Sequence, residues 1–245
     1  MRRVKLTLSY DGTAYRGFQV QPNGTTIQAV LEEALSRLLQ EPVKLRAAGR
    51  TDAGVHAREQ AADFGDSGNR PLETVLRGGN ALLPPDIRIL SAAEAPESFN
   101  ARRDAKEKEY RYFLQLHPVA SPFFSRYSWH LEKPLDLDAM RAGLRHVVGE
   151  HDFSAFRGQG CTAKTTVRTI HRAELREEIP PLYSVSIAGT GFLRHMVRNL
   201  VGTVVDAGKG KIPPDRMRDL LAMKSRSEAG PTAPAHGLFL WQVTY

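Results

Sequence analysis

Asp52 occupies the setting in this 245-residue chain where a carboxylate could most readily do chemistry. It lies in Gly49-Arg50-Thr51-Asp52-Ala53-Gly54-Val55-His56-Ala57, among small residues that let another molecule approach the backbone closely. The segment follows an expected strand. An ionised Asp in such a loop can act as nucleophile or general base, provided a guanidinium such as Arg50 keeps its pKa low. By residue type alone, an Asp in a Gly-rich turn more often makes an Asx turn or a helix N-cap.

Two other stretches mix charge with apolar surface. Arg102-Arg103-Asp104-Ala105-Lys106-Glu107-Lys108-Glu109-Tyr110-Arg111-Tyr112 interleaves basic residues with rings. On a strand Tyr110 and Tyr112 share a face, so this pattern suits RNA, with charges on phosphates and a ring on a base, and suits an edge strand with core tyrosines equally well. Phe192 to Gly202 reads as a mostly apolar helix with Arg194 and Arg198 four apart on one face. A buried arginine needs a partner: Asp206, a catalytic carboxylate or a phosphate would each serve.

Other signals fail. Gly208-Lys209-Gly210-Lys211 lacks both the earlier glycine and the Ser or Thr of a phosphate-binding loop, and no Gly-x-Ser-x-Gly elbow occurs. The eight histidines show no helical metal spacing, and one cysteine, Cys161, excludes a disulfide framework or a multi-thiolate zinc site. His151-Asp152 reads as a surface cap at a helix end. No stretch is long and apolar enough to span a membrane, and the cysteine usage points to the cytoplasm.

The elements that must position these residues follow from periodicity. Strands are expected at 4–10, 43–48, 60–64 and 87–92, with helices from 27 to about 38 and from 72 to 80; Thr25 and Gln28 have capping-box spacing. The later pattern is strand 108–116, helix 137–148, strands 167–177 and 182–188, helix 192–207, a helix opened by Pro213-Pro214, and strand 238–244. Two α+β halves of β-α-β-β-α-β type result, 1–105 and 106–245. Net charge is +7, from 34 Lys and Arg against 27 Asp and Glu. Residues 1–105 carry +1 of it and 106–245 carry +6, so a polyanion should meet more charge on the second half. Two long irregular stretches remain, Gly158–Thr166 and Ser225–Gly237, of the length that functional loops and mobile connectors share.

Taken in order, Tyr10-Asp11-Gly12-x-x-Tyr15-x-Gly17-Phe18-Gln19, the Gly49–His56 segment, Lys108-x-Tyr110-Arg111-Tyr112, Met196-Val197-Arg198-Asn199 with Val201-Gly202, and Gly237-Leu238-Phe239-Leu240 resemble one family. It is the family of tRNA pseudouridine synthases that act on the anticodon stem-loop. The resemblance runs from residue 4 to about 243, with Phe18 where many members carry Trp.

The resemblance implies an isomerase needing neither metal nor organic cofactor, which detaches uracil at N1 and rejoins it through C5 at positions thirty-eight, thirty-nine and forty of tRNA. It implies an α+β pseudouridine synthase fold, two related halves with largely antiparallel sheets meeting at a central basic cleft. The N-terminal half would carry the Asp loop and the C-terminal half would complete the cleft. It also implies a cytoplasmic homodimer that binds the anticodon arm and no membrane. Residue by residue, Asp52 matches the catalytic aspartate and Arg198 the arginine that would pair with it. Arg50 matches the residue that helps the target nucleotide leave the helix, Tyr110 the ring that stacks on the flipped uracil, and Leu238 the opposite wall of the pocket. Arg58, Arg111, Arg194 and His195 are further candidates for contact with RNA.

Overall fold

The computed structural model describes residues 2–68 and 70–245, which fold as two compact units. The first takes the chain up to Lys106 and then Phe239–Tyr245; the second is Glu107–Leu238.

In the first unit, alternation of buried and half-exposed side chains makes β1 (Arg2–Tyr10) a one-sided strand, with Val4, Leu6 and Leu8 wholly buried. Helix α1 (Ile27–Leu39) follows, burying Ile27, Leu31, Leu35 and Leu39. Its N-cap is Thr26, which accepts from the Ala29 N–H at 3.3 Å, one residue later than the expected capping box. Gln28 instead reaches out of the helix, donating to Glu32 Oε1 and the Leu45 carbonyl. The buried Glu32 also accepts from the Leu45 N–H at 2.9 Å, tying the chain leaving α1 back against the helix. Then come β2 (Arg46–Ala47), β3 (His56–Asp66), α2 (Leu72–Leu82) and β4 (Ile87–Ala95).

In the second unit the elements are β5 (Glu107–Leu116), β6 (Trp129–Leu131), α3 (Leu137–Arg145), β7 (Gly149–Asp152), β8 (Val167–Glu177), β9 (Leu182–Gly189), α4 (Met196–Gly208) and α5 (Arg216–Met223). The chain then runs into β10 (Leu238–Thr244), which from Phe239 onward belongs to the first unit. The sequence pattern placed this strand in the second half; its parallel pairing of Phe239 and Leu240 with His56 and Ala57 puts it beside β3 instead.

The first unit's strands run in the order β4-β1-β3-β10, with β2 on β3; those of the second run β5-β9-β8-β7, with β6 on β5. Pairing is antiparallel except β10 on β3 and β6 on β5, so the fold is α+β with largely antiparallel sheets. Helix α4 is buried on nearly every side, as its composition requires. It begins at Met196 rather than Phe192, because His195 takes the left-handed conformation (φ 60°), which no α-helix continues through. No helix among the described residues is long and apolar enough to cross a membrane.

Candidate active site

The loop Gly49–Val55 enters from β2 and leaves into β3, and four neighbours fix its course. The Tyr10 hydroxyl lies 2.9 Å from Thr51 Oγ1, and Gln60 Nε2 donates to the Gly49 carbonyl at 2.8 Å. Burial pushes the Tyr10 hydroxyl up to about 12, so it stays a neutral partner. Two glycines do the rest. A Cβ on Gly12 would stand 2.0 Å from the Val55 carbonyl oxygen, and one on Gly17 (φ +90°) would stand 2.7 Å from the Thr51 oxygen. The Phe18 N–H donates to that same Thr51 oxygen at 3.0 Å. The turn closes where the Val55 N–H meets the Asp52 carbonyl at 3.1 Å.

Asp52 is thereby held half-buried at the turn, between the exposed Arg50 and Ala53. Arg50 makes no ion pair among the described residues, so its guanidinium faces solvent uncommitted. Behind the loop His56 is wholly buried and stacks on Phe239 with ring centroids 4.6 Å apart. Its Nδ1 accepts from the Gly12 N–H at 3.0 Å and lies 3.1 Å from Asp11 Oδ1. On β3, Arg58 is exposed, pairs with Glu59 and lies over the Trp241 ring at 4.7 Å.

In the second unit Tyr110 is buried on β5, edge-on to Phe192 at 4.9 Å. Tyr112 shares its face, as expected, but is a core residue: wholly buried, its hydroxyl donates to the Pro234 carbonyl at 2.8 Å. Burial raises the Tyr112 hydroxyl's pKa, against the pull of the nearby Arg198 charge. Arg111 points the other way along β5, bridging to Glu109 at 2.7 Å. Glu109 is shared with Arg172 and Ser186. Burial would raise its carboxyl's pKa, but these partners hold it below the usual carboxylate range.

Arg198 sits in the first turn of α4 and clamps the long loop that precedes β10. Its Nε donates to the Ala233 carbonyl at 2.7 Å and its own carbonyl accepts from the Ala233 N–H at 3.1 Å. Asp206, considered above as a structural partner for this helix's arginines, is engaged by Lys211. The same loop is fastened further by Asn199, whose amide oxygen accepts from Thr232 and Arg226 and whose nitrogen donates to the Phe156 carbonyl. Gly202 lies so close beneath Pro231 that a Cβ would reach 1.7 Å from its oxygen. Leu238 is buried where this loop ends. Ser225–Gly237 is therefore an anchored strap.

Arg194 and Arg198 do not share a helix face. Arg194 lies in the turn before α4 and is exposed, whereas Arg198 is half-buried within it. The Arg194 backbone carbonyl accepts from the Gly158 N–H at 2.8 Å, and the His195 ring fills the space where a Gly158 Cβ would be, 2.7 Å from its Nδ1. His151-Asp152 is in β7, not at a helix end; Asp152 caps the following turn, accepting from the Ser154 N–H at 3.0 Å. No cluster of His, Cys, Asp and Glu suited to a metal occurs among the described residues. In the sequence Tyr10, Gly12, Gly17 and Asn199 stand out only as parts of motifs, and Gln60 only as the start of a strand. Their roles depend on contacts between segments far apart in the chain.

Comparison with known proteins gives one answer. A family model described as tRNA pseudouridine synthase matches residues 7–103 and 144–245. The tRNA pseudouridine synthase A of Pelobacter propionicus is 51% identical over 245 residues, covering all of both chains. That of Geobacter sulfurreducens is 48% identical over the same span, and that of Myxococcus xanthus 46%, covering 92% of its own length. The archaeal box H/ACA sRNP Nop10-Cbf5 complex aligns at TM-score 0.38 and 13% identity, over 82% of this chain and 42% of that one. The first three span the Asp52 loop, Tyr110 and the strap alike, and with the family model they place this chain in the tRNA pseudouridine synthase family.

Proposed function

We propose that the protein isomerises uridine to pseudouridine at the three adjacent positions thirty-eight to forty in the anticodon arm of tRNA, with Asp52 as catalytic carboxylate. The reaction breaks the C1′–N1 bond and forms a C1′–C5 bond; the C5 proton leaves to solvent and N1 gains one. No oxidant, reductant or second substrate is needed, so one carboxylate able to add to the sugar or base, or to remove a ribose proton, suffices. The observation that carries the reading is the Asp52 turn itself. Four remote contacts hold its backbone while its side chain stays accessible beside an uncommitted Arg50, which is the rigid support a catalytic group needs.

The remaining roles belong to the same proposal. Tyr110 stacks on the everted uracil, Leu238 lines the pocket, Arg198 keeps the catalytic carboxylate charged, and Arg50 helps the nucleotide out of its helix. Everting a base costs a few kcal/mol, and stacking of about 1 to 3 kcal/mol offsets it. The protein acts as a homodimer in the cytoplasm. Its relatives' names and its basic charge support tRNA as the substrate.

The test is release of tritium from tRNA labelled at uridine C5. The wild-type chain should release it to water and Asp52→Asn should not, while still binding tRNA. Full release by Asp52→Asn would remove Asp52 from the mechanism; tight tRNA binding by the wild type without any release would make the protein an RNA binder instead.

A further inference from the structure

Many basic side chains of the second unit meet a carboxylate: Arg111, Arg141, Arg172, Arg176, Arg216 and Arg218 all do. Four others collect around one irregular loop, Gly158–Thr166, and form no ion pair among the described residues. Arg157 precedes the loop and is exposed, as is Lys164 within it. Arg168 follows it on β8, donating only to the carbonyls of Thr165 and Val167. Arg194 reaches it from the turn before α4, its Nη1 3.0 Å from where a Gly160 side chain would begin.

The loop's chemistry matches its surroundings. Gly160 takes φ +73° and is exposed, so it leaves its backbone bare, while Gly158 is buried against the His195 ring and anchors the start of the loop through its N–H on the Arg194 carbonyl. The exposed side chains between are Gln159, Thr162 and Thr165, all able to donate a hydrogen bond. Cys161, at the centre, registers the shared field: burial pushes its thiol up, but the Ala163 and Arg194 N–H groups and the charges of Arg157 and Arg168 hold it below its ordinary value. The neighbouring carboxylate, Asp152 on β7, is engaged by Ser154, Thr166 and Lys224 and pairs with none of the four cations among the described residues, so their mutual repulsion is left for a polyanion to relieve.

We propose that Gly158–Thr166, with Arg157, Lys164, Arg168 and Arg194, forms a phosphate-gripping surface that holds the sugar–phosphate backbone of the tRNA substrate without reading its bases. This rests on tRNA being the substrate, as proposed above. Guanidiniums and hydroxyls without an exposed ring among them suit phosphate oxygens, which fix the position and register of the nucleic acid.

The test is tRNA binding as a function of salt, measured in chains that carry Asp52→Asn. Arg157→Gln/Arg168→Gln should raise Kd by about tenfold at near-physiological salt and lower the slope of log K against log salt by roughly 1.5, since each lost phosphate contact removes about 0.7 to 0.9. Arg157→Lys/Arg168→Lys should restore both. Lys164→Gln alters a solvent-facing side chain without touching the fold and should lower the slope by about 0.7 to 0.9. Unchanged slopes in the glutamine variants, or a loss that lysine fails to restore, would overturn the proposal. Tritium release by the wild-type chain is read separately, so failure of the isomerase reading and failure of this surface give different results.

Discussion

Asp52 depends on two residues that meet its loop through backbone alone. Gly12 and Gly17 let β1's trailing segment lie directly against Val55 and Thr51, and Gly17 does so at φ +90°, where a side chain is strained whatever the space. Gly17→Ala should therefore cost about 1 to 3 kcal/mol by denaturant titration and reduce tritium release more than tenfold, because the turn must shift. Unaltered kinetics would show that the carboxylate tolerates a displaced loop. At Tyr110 the ring rather than the hydroxyl is expected to matter. Tyr110→Phe should retain most turnover and Tyr110→Ala should lose it, by roughly 1 to 3 kcal/mol of stacking. Residue types drew attention to the loop that carries Asp52 and Arg50, but by themselves favoured a plain turn there; the expected roles of both came from the family resemblance. The glycines' function was hidden because it lies in approach distances between segments some forty residues apart.

At the scale of the element, α4 and its strap show what periodicity can and cannot reveal. The apolar run correctly indicates a buried helix, yet its start is misplaced because nothing in the composition marks His195 as left-handed. The bounds of β8 and β10 match the alternation residue for residue. The short strands β6 and β7 were not legible, being three and four residues long and defined by their partners. The strap looked irregular because its order comes from side chains elsewhere, above all Asn199. Asn199→Ala leaves the Phe156 carbonyl, Thr232 and Arg226 short of partners. It should lower stability by about 2 to 4 kcal/mol and open Ser225–Gly237 to limited proteolysis. A strap equally resistant in the variant would show that Arg198 and Gly202 suffice.

For the whole molecule, charge is partly committed to structure. Glu109 joins Arg111, Arg172 and Ser186, and its pKa is lowered on folding. Asp152, lowered by its hydrogen bonds to Ser154 and Thr166 and by Lys224, behaves alike. A depressed carboxylate pKa stabilises the fold above the unfolded value and loses that contribution as pH falls toward the folded one. The melting temperature should thus decline below about pH 4.5, and the decline should be shallower in Glu109→Gln, which starts lower at neutral pH. An identical acid profile in that variant would exclude the cluster as its source.

The return of Phe239–Tyr245 to the first unit bears on how the protein is made. Strand β3, whose first residue follows the Asp52 loop, gains its parallel neighbour only from this segment, and Thr244 and Tyr245 also close onto Lys106 and Ala101. During synthesis the N-terminal unit must wait for more than a hundred intervening residues to be translated before it can seal. A ribosome stalled after the strap would hold a nascent chain in which β3 still lacks its parallel neighbour, so the first unit can close only once β10 has emerged.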